Sequence, residues 1–350
     1  MDSHNFEIGI YTLGDVGPDP VTGKSISPQQ RLKEVVETAK LAEEVGLDVF
    51  GVGEHHRLDY SVSSPAVVLA GVAAATKNIR LASTTSVLST LDPVRLFEDF
   101  STLDILSDGR AEIMAGRGAF IESFPLFGYD LDDYDELFEE NLGLLMELNK
   151  NEIVTWNGKF RSPLQNAMIA PRPIQEEIPV WVGVGGTPSS AARAGKFGAG
   201  LALAILGGPP ERFKPLVDLY RQTSIEYGFT EESQRVSVNG HTFISDTYEQ
   251  AKDEFFPYYS SYWHYVNAQR GMKSQMARED FELMASPETA LFVGSPEQII
   301  EKILRQHELF GHNRFMAQVD IGGIPFNRVA KSIELLATKV APVIRRELNK

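Results

Sequence analysis

The sequence predicts an α/β fold, a (β/α)8 TIM barrel with insertions at the C-terminal rim. Three observations lead there. Strand-like and helix-like stretches alternate about eight times, which calls for parallel strands joined by right-handed helical crossovers. A chain of 350 residues suits a barrel that carries insertions. Polar and glycine-rich segments recur where the strands end, the side on which barrels gather reactive groups. An open doubly wound sheet is the alternative that alternation alone leaves standing.

Each unit has local reasons. Phe6 to Tyr11 reads as a short buried strand. Ser27 then caps a helix with Pro28 at its first position. Leu32, Val35, Val36, Ala39, Ala42 and Val45 recur at helical spacing, and Gly46 closes the helix. Asp48 to Val52 is the second strand, before a helix from Pro65 to Thr76. Ile79 to Leu88 is the third, before a helix from Pro93 to Leu106. Arg110 to Ala115 is the fourth, before a helix from Tyr134 to Leu148. Pro179 to Val184 leads into a helix from Pro188, and Gly200 to Leu206 into one from Pro209 to Tyr227. Val236 to Ile244 precedes a helix from Tyr248; Arg314 to Ile321 precedes a last one near Pro325. The whole chain, 1–350, reads as a single domain. Two stretches break the cycle. Residues 151–178 read as a hairpin plus loop, and residues 258–294 as a long insertion of lid type.

Composition excludes several functions. The 33 basic and 48 acidic side chains leave a net charge of −15. That surface repels phosphate backbones and anionic lipid, so neither nucleic acid nor membrane is an expected partner, although a local basic pocket can still hold one phosphate. The absence of cysteine excludes disulfides, thiol nucleophiles and thiolate metal sites. The N-terminus carries no signal-peptide pattern, and no apolar run reaches the roughly 20 residues that span a bilayer. A cytoplasmic location is the expectation.

The strand ends carry the candidate chemistry. After the second strand come Glu54, His55 and His56. A neutral imidazole serves as a general base near pH 7. The same residues also fit a surface turn, and a bare histidine pair lacks the further ligands a metal site needs. Arg117 lies between Gly116 and Gly118, where it suits either bidentate phosphate binding or a rim salt bridge. Gly185, Gly186, Thr187, Pro188, Ser189 and Ser190 combine a capped helix start, two glycines and hydroxyls, the makings of an anion nest. No Gly-x-Gly-x-x-Gly fingerprint follows the first strand and no Walker loop occurs, which argues against classical dinucleotide and ATP sites. The acidic run from Asp130 to Glu140 needs no role beyond solubility and a favourable helix start. The aromatic stripe from Phe255 to Tyr265 reads as core or lid packing, with part of it available to line an apolar cavity.

Taken in order, these residues resemble the bacterial luciferase-like, flavin-dependent monooxygenases, over roughly Phe6 to Ile344. The marks are Gly53-Glu54-His55-His56, Asp92-Pro93-Val94-Arg95, and Leu103 to Arg110 leading into Gly116-Arg117-Gly118. Pro179-Val180-Trp181-Val182 before the glycine-serine turn and Gly294-Ser295-Pro296-Glu297-Gln298 complete them. The resemblance implies reduced FMN across the C-terminal rim, supplied by a separate NAD(P)H:flavin reductase, with O2 and a small organic substrate as the other reactants. It implies that His55 assists the oxygen chemistry, with Glu54 and His56 beside it. It implies that Arg117, the backbone of Gly185 and Gly186, Ser189 and Ser190 hold the flavin phosphate. Thr84 and Thr85 match a non-prolyl cis peptide under the flavin ring. A homodimer follows by analogy. Two departures stand out. Gly116 occupies the position of the luciferase subunit's reactive cysteine, which argues against light emission from a long-chain aldehyde. Gly185-Gly186 replaces an acidic and serine pair, leaving backbone amides alone. A deazaflavin-dependent dehydrogenase or reductase on the same barrel, or a non-catalytic flavin-binding relative, are the alternatives.

Overall fold

The computed structural model describes residues 6–118, 120–269 and 275–348. Eight parallel strands form its centre: β1 (Glu7–Thr12), β2 (Val49–Val52), β3 (Arg80–Ser83), β4 (Ala111–Gly116), β5 (Val180–Val184), β6 (Gly200–Ala204), β7 (Val236–Ile244) and β8 (Arg314–Gln318). Each pairs with the next, and β8 pairs back with β1, Glu7 opposite Arg314 through Tyr11 opposite Gln318. The sheet is closed, so the doubly wound alternative falls.

Around it lie α1 (Pro28–Glu44), α2 (Pro65–Ala75), α3 (Pro93–Leu106), α4 (Tyr134–Lys150), α5 (Pro188–Lys196), α6 (Lys214–Glu226), α7 (Tyr248–Gln269), α8 (Arg278–Ala285), α9 (Pro296–Phe310) and α10 (Phe326–Leu335). Their starts follow from sequence. Proline, with no amide hydrogen to leave unsatisfied, opens α1, α2, α3, α5 and α9. Ser27 accepts from the Gln30 amide, Asp92 from those of Val94 and Arg95, and Ser295 forms a capping box with Gln298.

Three boundaries differ from the sequence reading. The third strand stops at Ser83, and Ser86–Val87 resumes as a short strand on β4; the Thr84–Thr85 peptide between them is cis. A 3-10 turn, Pro210–Phe213, delays α6 to Lys214. Tyr258 to Gln269, read as the start of an insertion, instead extends α7, because Phe255, Tyr258 and Tyr259 pack its inner face into the core. The insertion is then α8 and a three-residue strand, Phe292–Gly294, beside β7; residues 270–274 of its polar run lie outside the described residues. In the other insertion, Ile153–Trp156 and Leu164–Met168 form the expected antiparallel hairpin.

One end of the barrel is plugged by charge. Arg314, at the start of β8, sits between Glu112 (2.6 Å) and Glu7 (2.7 Å), and Arg80 reaches the same two carboxylates. The indole of Trp181 donates to Glu112 and lies under the Arg314 guanidinium. Glu112 and Arg314 are fully buried. With the N-terminal end filled this way, open space remains at the C-terminal mouth. Among the described residues no helix is long and apolar enough to cross a membrane.

Candidate active site

The C-terminal ends of β1, β2, β6, β7 and β8 surround a cavity of about 180 Å³. Its edge toward β2 is built from Glu54, His55 and His56. Glu54 is buried: one carboxylate oxygen accepts from the Val87 amide (2.9 Å), and the other meets His56 Nε2 (2.6 Å). Its amide donates to the Thr85 carbonyl. The ring of His55 stacks on Tyr60 at 4.1 Å and meets Phe120 edge-on. His55 Nδ1 lies 3.5 Å from Glu122, which comes from the loop after β4. Burial opposes ionisation of Glu122, but its bond to His55 and the nearby Arg57 charge hold its carboxyl below the ordinary range. The imidazole thus has one nitrogen directed to a carboxylate and an aromatic clamp that excludes water from its faces.

Thr84 and Thr85 form the adjacent wall. They lie so close to neighbouring strands that a Cβ on Gly51 would sit 2.5 Å from the Thr84 methyl, one on Gly53 2.6 Å from the Thr84 carbonyl, and one on Gly116 2.4 Å from the Thr85 hydroxyl. Glycine at these three positions is the condition for this shelf. Thr84 Oγ1 is buried without a hydrogen-bond partner.

Across β6, Ala204 and Leu206 line both this cavity and a second hollow of about 320 Å³ that reaches Gly185 and Gly186. These glycines are exposed with open space before them, and Gly186 has a φ of 133°. Thr187 does not cap α5 with its side chain; its hydroxyl accepts from Arg117 Nη2 at 3.2 Å. Arg117 also pairs with Asp135 (2.5 Å) and lies over the Tyr134 ring. Ser189 is exposed, whereas Ser190 is buried with its hydroxyl unpartnered. One turn on, the buried Arg193 shares Asp135 and binds Glu139, yet its Nη1 has no partner.

The sequence-derived candidates therefore form two clusters: Glu54, His55, His56, Thr84 and Thr85 around the first cavity, and Arg117 with Gly185 to Ser190 beside the second hollow, the two hollows sharing Ala204 and Leu206. Sequence reading missed Tyr60, Glu122, Arg193, Asp135 and His241. Arg193 carried a signal, since it follows Ser190 by three residues on the same helix face. Glu122 carried none. The acidic run does more than keep α4 soluble, because Asp135 and Glu139 hold Arg117 and Arg193 in place. Asp320, read as a turn residue, is buried, accepts from Thr12, and is pushed up by burial; Asp15 beside it, also buried, rises to about 6.

A closed barrel with a hollow, imidazole-bearing C-terminal mouth defines a (β/α)8-barrel enzyme. The chain belongs to the luciferase-like monooxygenase family, whose model matches residues 6–313. Members of that family are flavin-dependent monooxygenases, so the protein is an oxidoreductase of that kind. The oxygenase component of the flavin-dependent trigonelline monooxygenase of Acinetobacter baylyi is 24% identical over 337 residues, 91% of this chain and 92% of that protein. Monooxygenase RslO1 from Streptomyces bottropensis superposes with a TM-score of 0.82 at 25% identity, over 96% of this chain and 99% of its own. The oxygenating constituent of 3,6-diketocamphane monooxygenase from Pseudomonas putida, solved in complex with FMN, gives 0.77 at 20% identity, over 97% and 99%. An F420-dependent secondary alcohol dehydrogenase shares the fold at 0.74 and 18% identity, over 97% and 99%.

Proposed function

We propose that the protein is the oxygenase component of a two-component flavin monooxygenase. It takes reduced FMN from a separate NAD(P)H:flavin reductase and uses O2 to oxygenate a small organic substrate, working as one barrel domain in the cytoplasm. The observation that carries this reading is the paired deficit at the start of α5. The Ser190 hydroxyl and Arg193 Nη1 are buried without partners beside Arg117 and an exposed glycine pair. Buried polar groups left unpaired are costly, and a phosphate would satisfy both.

Arg117, Arg193, Ser189, Ser190 and the amides from Gly185 onward would hold the phosphate. Helix-terminal amides and a forked guanidinium are suited to that task. Thr84, Thr85 and the glycine-lined shelf would carry the ring. Reduced flavin, when bound, supplies the two electrons that activate O2. His55 holds or moves a proton at Nε2, with Nδ1 directed to Glu122. Glu54 orients His56 and fixes the strand segment at Val87. Tyr60 and Phe120 keep water from the imidazole. The similarity to the oxygenase component of the trigonelline enzyme and to the FMN-bound diketocamphane enzyme supports the same reading.

The F420-dependent neighbour favours a second reading, hydride transfer with a deazaflavin coenzyme. Titrating the flavin-free chain with FMN, reduced FMN and F420, then measuring oxygen uptake, separates the two. Tight binding of reduced FMN with oxygen consumption supports the monooxygenase. Binding of F420 alone, with no oxygen uptake, replaces it. We also propose a homodimer through α2, which is apolar on all sides yet turns Val67, Gly71 and Ala74 to the surface.

A further inference from the structure

The wall of the cavity away from His55 carries a row of polar side chains that the proposed flavin site does not use. Tyr11 on β1 pairs in register with Gln318 on β8, and Gln318 pairs in turn with His241 on β7. All three side chains line the cavity, and all are buried: 6%, 3% and 1% exposed. They occupy one level of the barrel on three neighbouring strands. The Gln318 amide has no hydrogen-bond partner among the described residues, and the cavity is the space it faces. His241 Nδ1 is engaged by the Tyr259 hydroxyl at 3.2 Å, which leaves Nε2 for the cavity.

We propose that the row Tyr11–Gln318–His241 is the substrate subsite, and that it takes a small uncharged molecule presenting an acceptor oxygen. The proposal rests on the monooxygenase reading for what is done to that molecule, and on the cavity alone for how it is held. A phenol and a carboxamide supply donors from adjacent strands, and the imidazole on the third strand adds a polar nitrogen beside them. The Gln318 amide opens on the cavity, so a ligand oxygen that reaches it gains a hydrogen bond.

Charge decides the class. Among the described residues no lysine or arginine lines the cavity, whereas Glu54 and Glu122 do. An anion would therefore be buried without a counter-ion, which is strongly unfavourable. A cation gains little, because Glu54 already meets His56 and the Val87 amide while Glu122 faces His55. The row itself is neutral: burial lowers His241 to about 3 and raises Tyr11 above its ordinary value. Leu13, Val87 and Phe120 give the remaining walls an apolar character that suits a hydrocarbon body.

The test titrates the full chain, with and without FMN, against acetophenone, benzoate and benzylammonium. These probes share one ring and differ in charge, and calorimetry reads the binding. Acetophenone binds the wild type and the two ions do not. Gln318→Leu weakens acetophenone about three- to tenfold, the worth of one hydrogen bond. Tyr11→Phe gives a second reading of the same kind should the leucine variant fold poorly. Gln318→Glu moves the preference toward benzylammonium, which a purely structural role for the residue would not do. Benzoate binding as tightly as acetophenone, no acetophenone binding by the wild type, or unchanged acetophenone affinity in both folded variants overturns the proposal. Acetophenone selectivity that persists in a chain unable to bind FMN upholds the subsite and sinks the flavin reading alone.

Discussion

Replacing Arg117 with alanine tests the proposed phosphate site most directly. The guanidinium places one nitrogen on Asp135 and one on the Thr187 hydroxyl, and its side chain is 17% exposed. A charge-assisted hydrogen bond contributes about 1.5–3 kcal/mol, so two directed at a phosphate would contribute about 3–6 kcal/mol. Arg193 and the α5 amides remain in the variant, and partial exposure screens the charge; about 3 kcal/mol, or roughly a hundredfold in Kd, is the expected loss. Quenching of flavin fluorescence on titration with the apo-protein measures it. Riboflavin, which lacks the phosphate, is the control. Wild type prefers FMN over riboflavin, and Arg117→Ala collapses that preference while leaving riboflavin affinity in place. Equal FMN affinity in the two proteins refutes the assignment. So does a parallel loss for riboflavin, because the arginine would then act on folding and not on the phosphate.

His55→Ala keeps FMN affinity within about twofold and lowers turnover by roughly 10²–10⁴, the usual worth of a positioned proton-transfer group; steady-state kinetics beside the same titration checks both. Glu112→Gln leaves Arg314 buried beside a neutral amide and costs about 3–5 kcal/mol of stability, read as a shift in the denaturant midpoint. The wild-type pH profile is linked to it. Burial disfavours the Glu112 charge, but Arg314 and Arg80 outweigh burial and hold the carboxyl at about 2 against an ordinary 4.5. That lowered value stabilises the fold by about 3 kcal/mol above pH 4.5, and the stabilisation is lost as pH falls toward 2. The glutamine variant lacks this acid-dependent component, which unfolding curves at pH 6 and pH 3 reveal. Val67→Glu places a charge on the apolar face of α2 and shifts the chain to monomer in sedimentation velocity; an unchanged sedimentation coefficient removes α2 from the interface.

The barrel was legible because its signals are local and repeated. Proline after a capping residue marks helix starts, and short apolar runs separated by crossover-length segments mark parallel strands. The third strand was misread because nothing in Ser83-Thr84-Thr85-Ser86 signals a break. The cause lies in Gly51, Gly53 and Gly116, which are distant in sequence and make room for the two threonines. Gly116 shows the same limit in the resemblance. It reads as the loss of a reactive cysteine, yet any side chain there would occupy the space of the Thr85 hydroxyl. The start of α7 was legible and its length was not, because an aromatic run has no intrinsic preference between helix and lid. The row from Tyr11 to His241 was invisible, since register between β7, β8 and β1 joins residues up to 307 positions apart.

The net charge of −15 and a proposed dianion site are compatible for a reason found at α4 and α5. Arg117, Arg193 and Lys196 gather there against Asp135 and Glu139. The two arginines share Asp135, whose carboxylate is 59% exposed, whereas Arg193 is buried. Asp135 is largely hydrated already, so exchanging it for another anion leaves no carboxylate buried, while the buried Arg193 keeps a counter-charge. A phosphate in its place would gain both guanidiniums, the unpartnered Ser190 hydroxyl and the positive end of α5. The carboxylate thus keeps two adjacent cations from repelling one another, and on the proposed reading it would yield to a better-matched anion. Acidity over the surface and the proposed affinity for one phosphate would then both follow from where the charges are set and not from their sum.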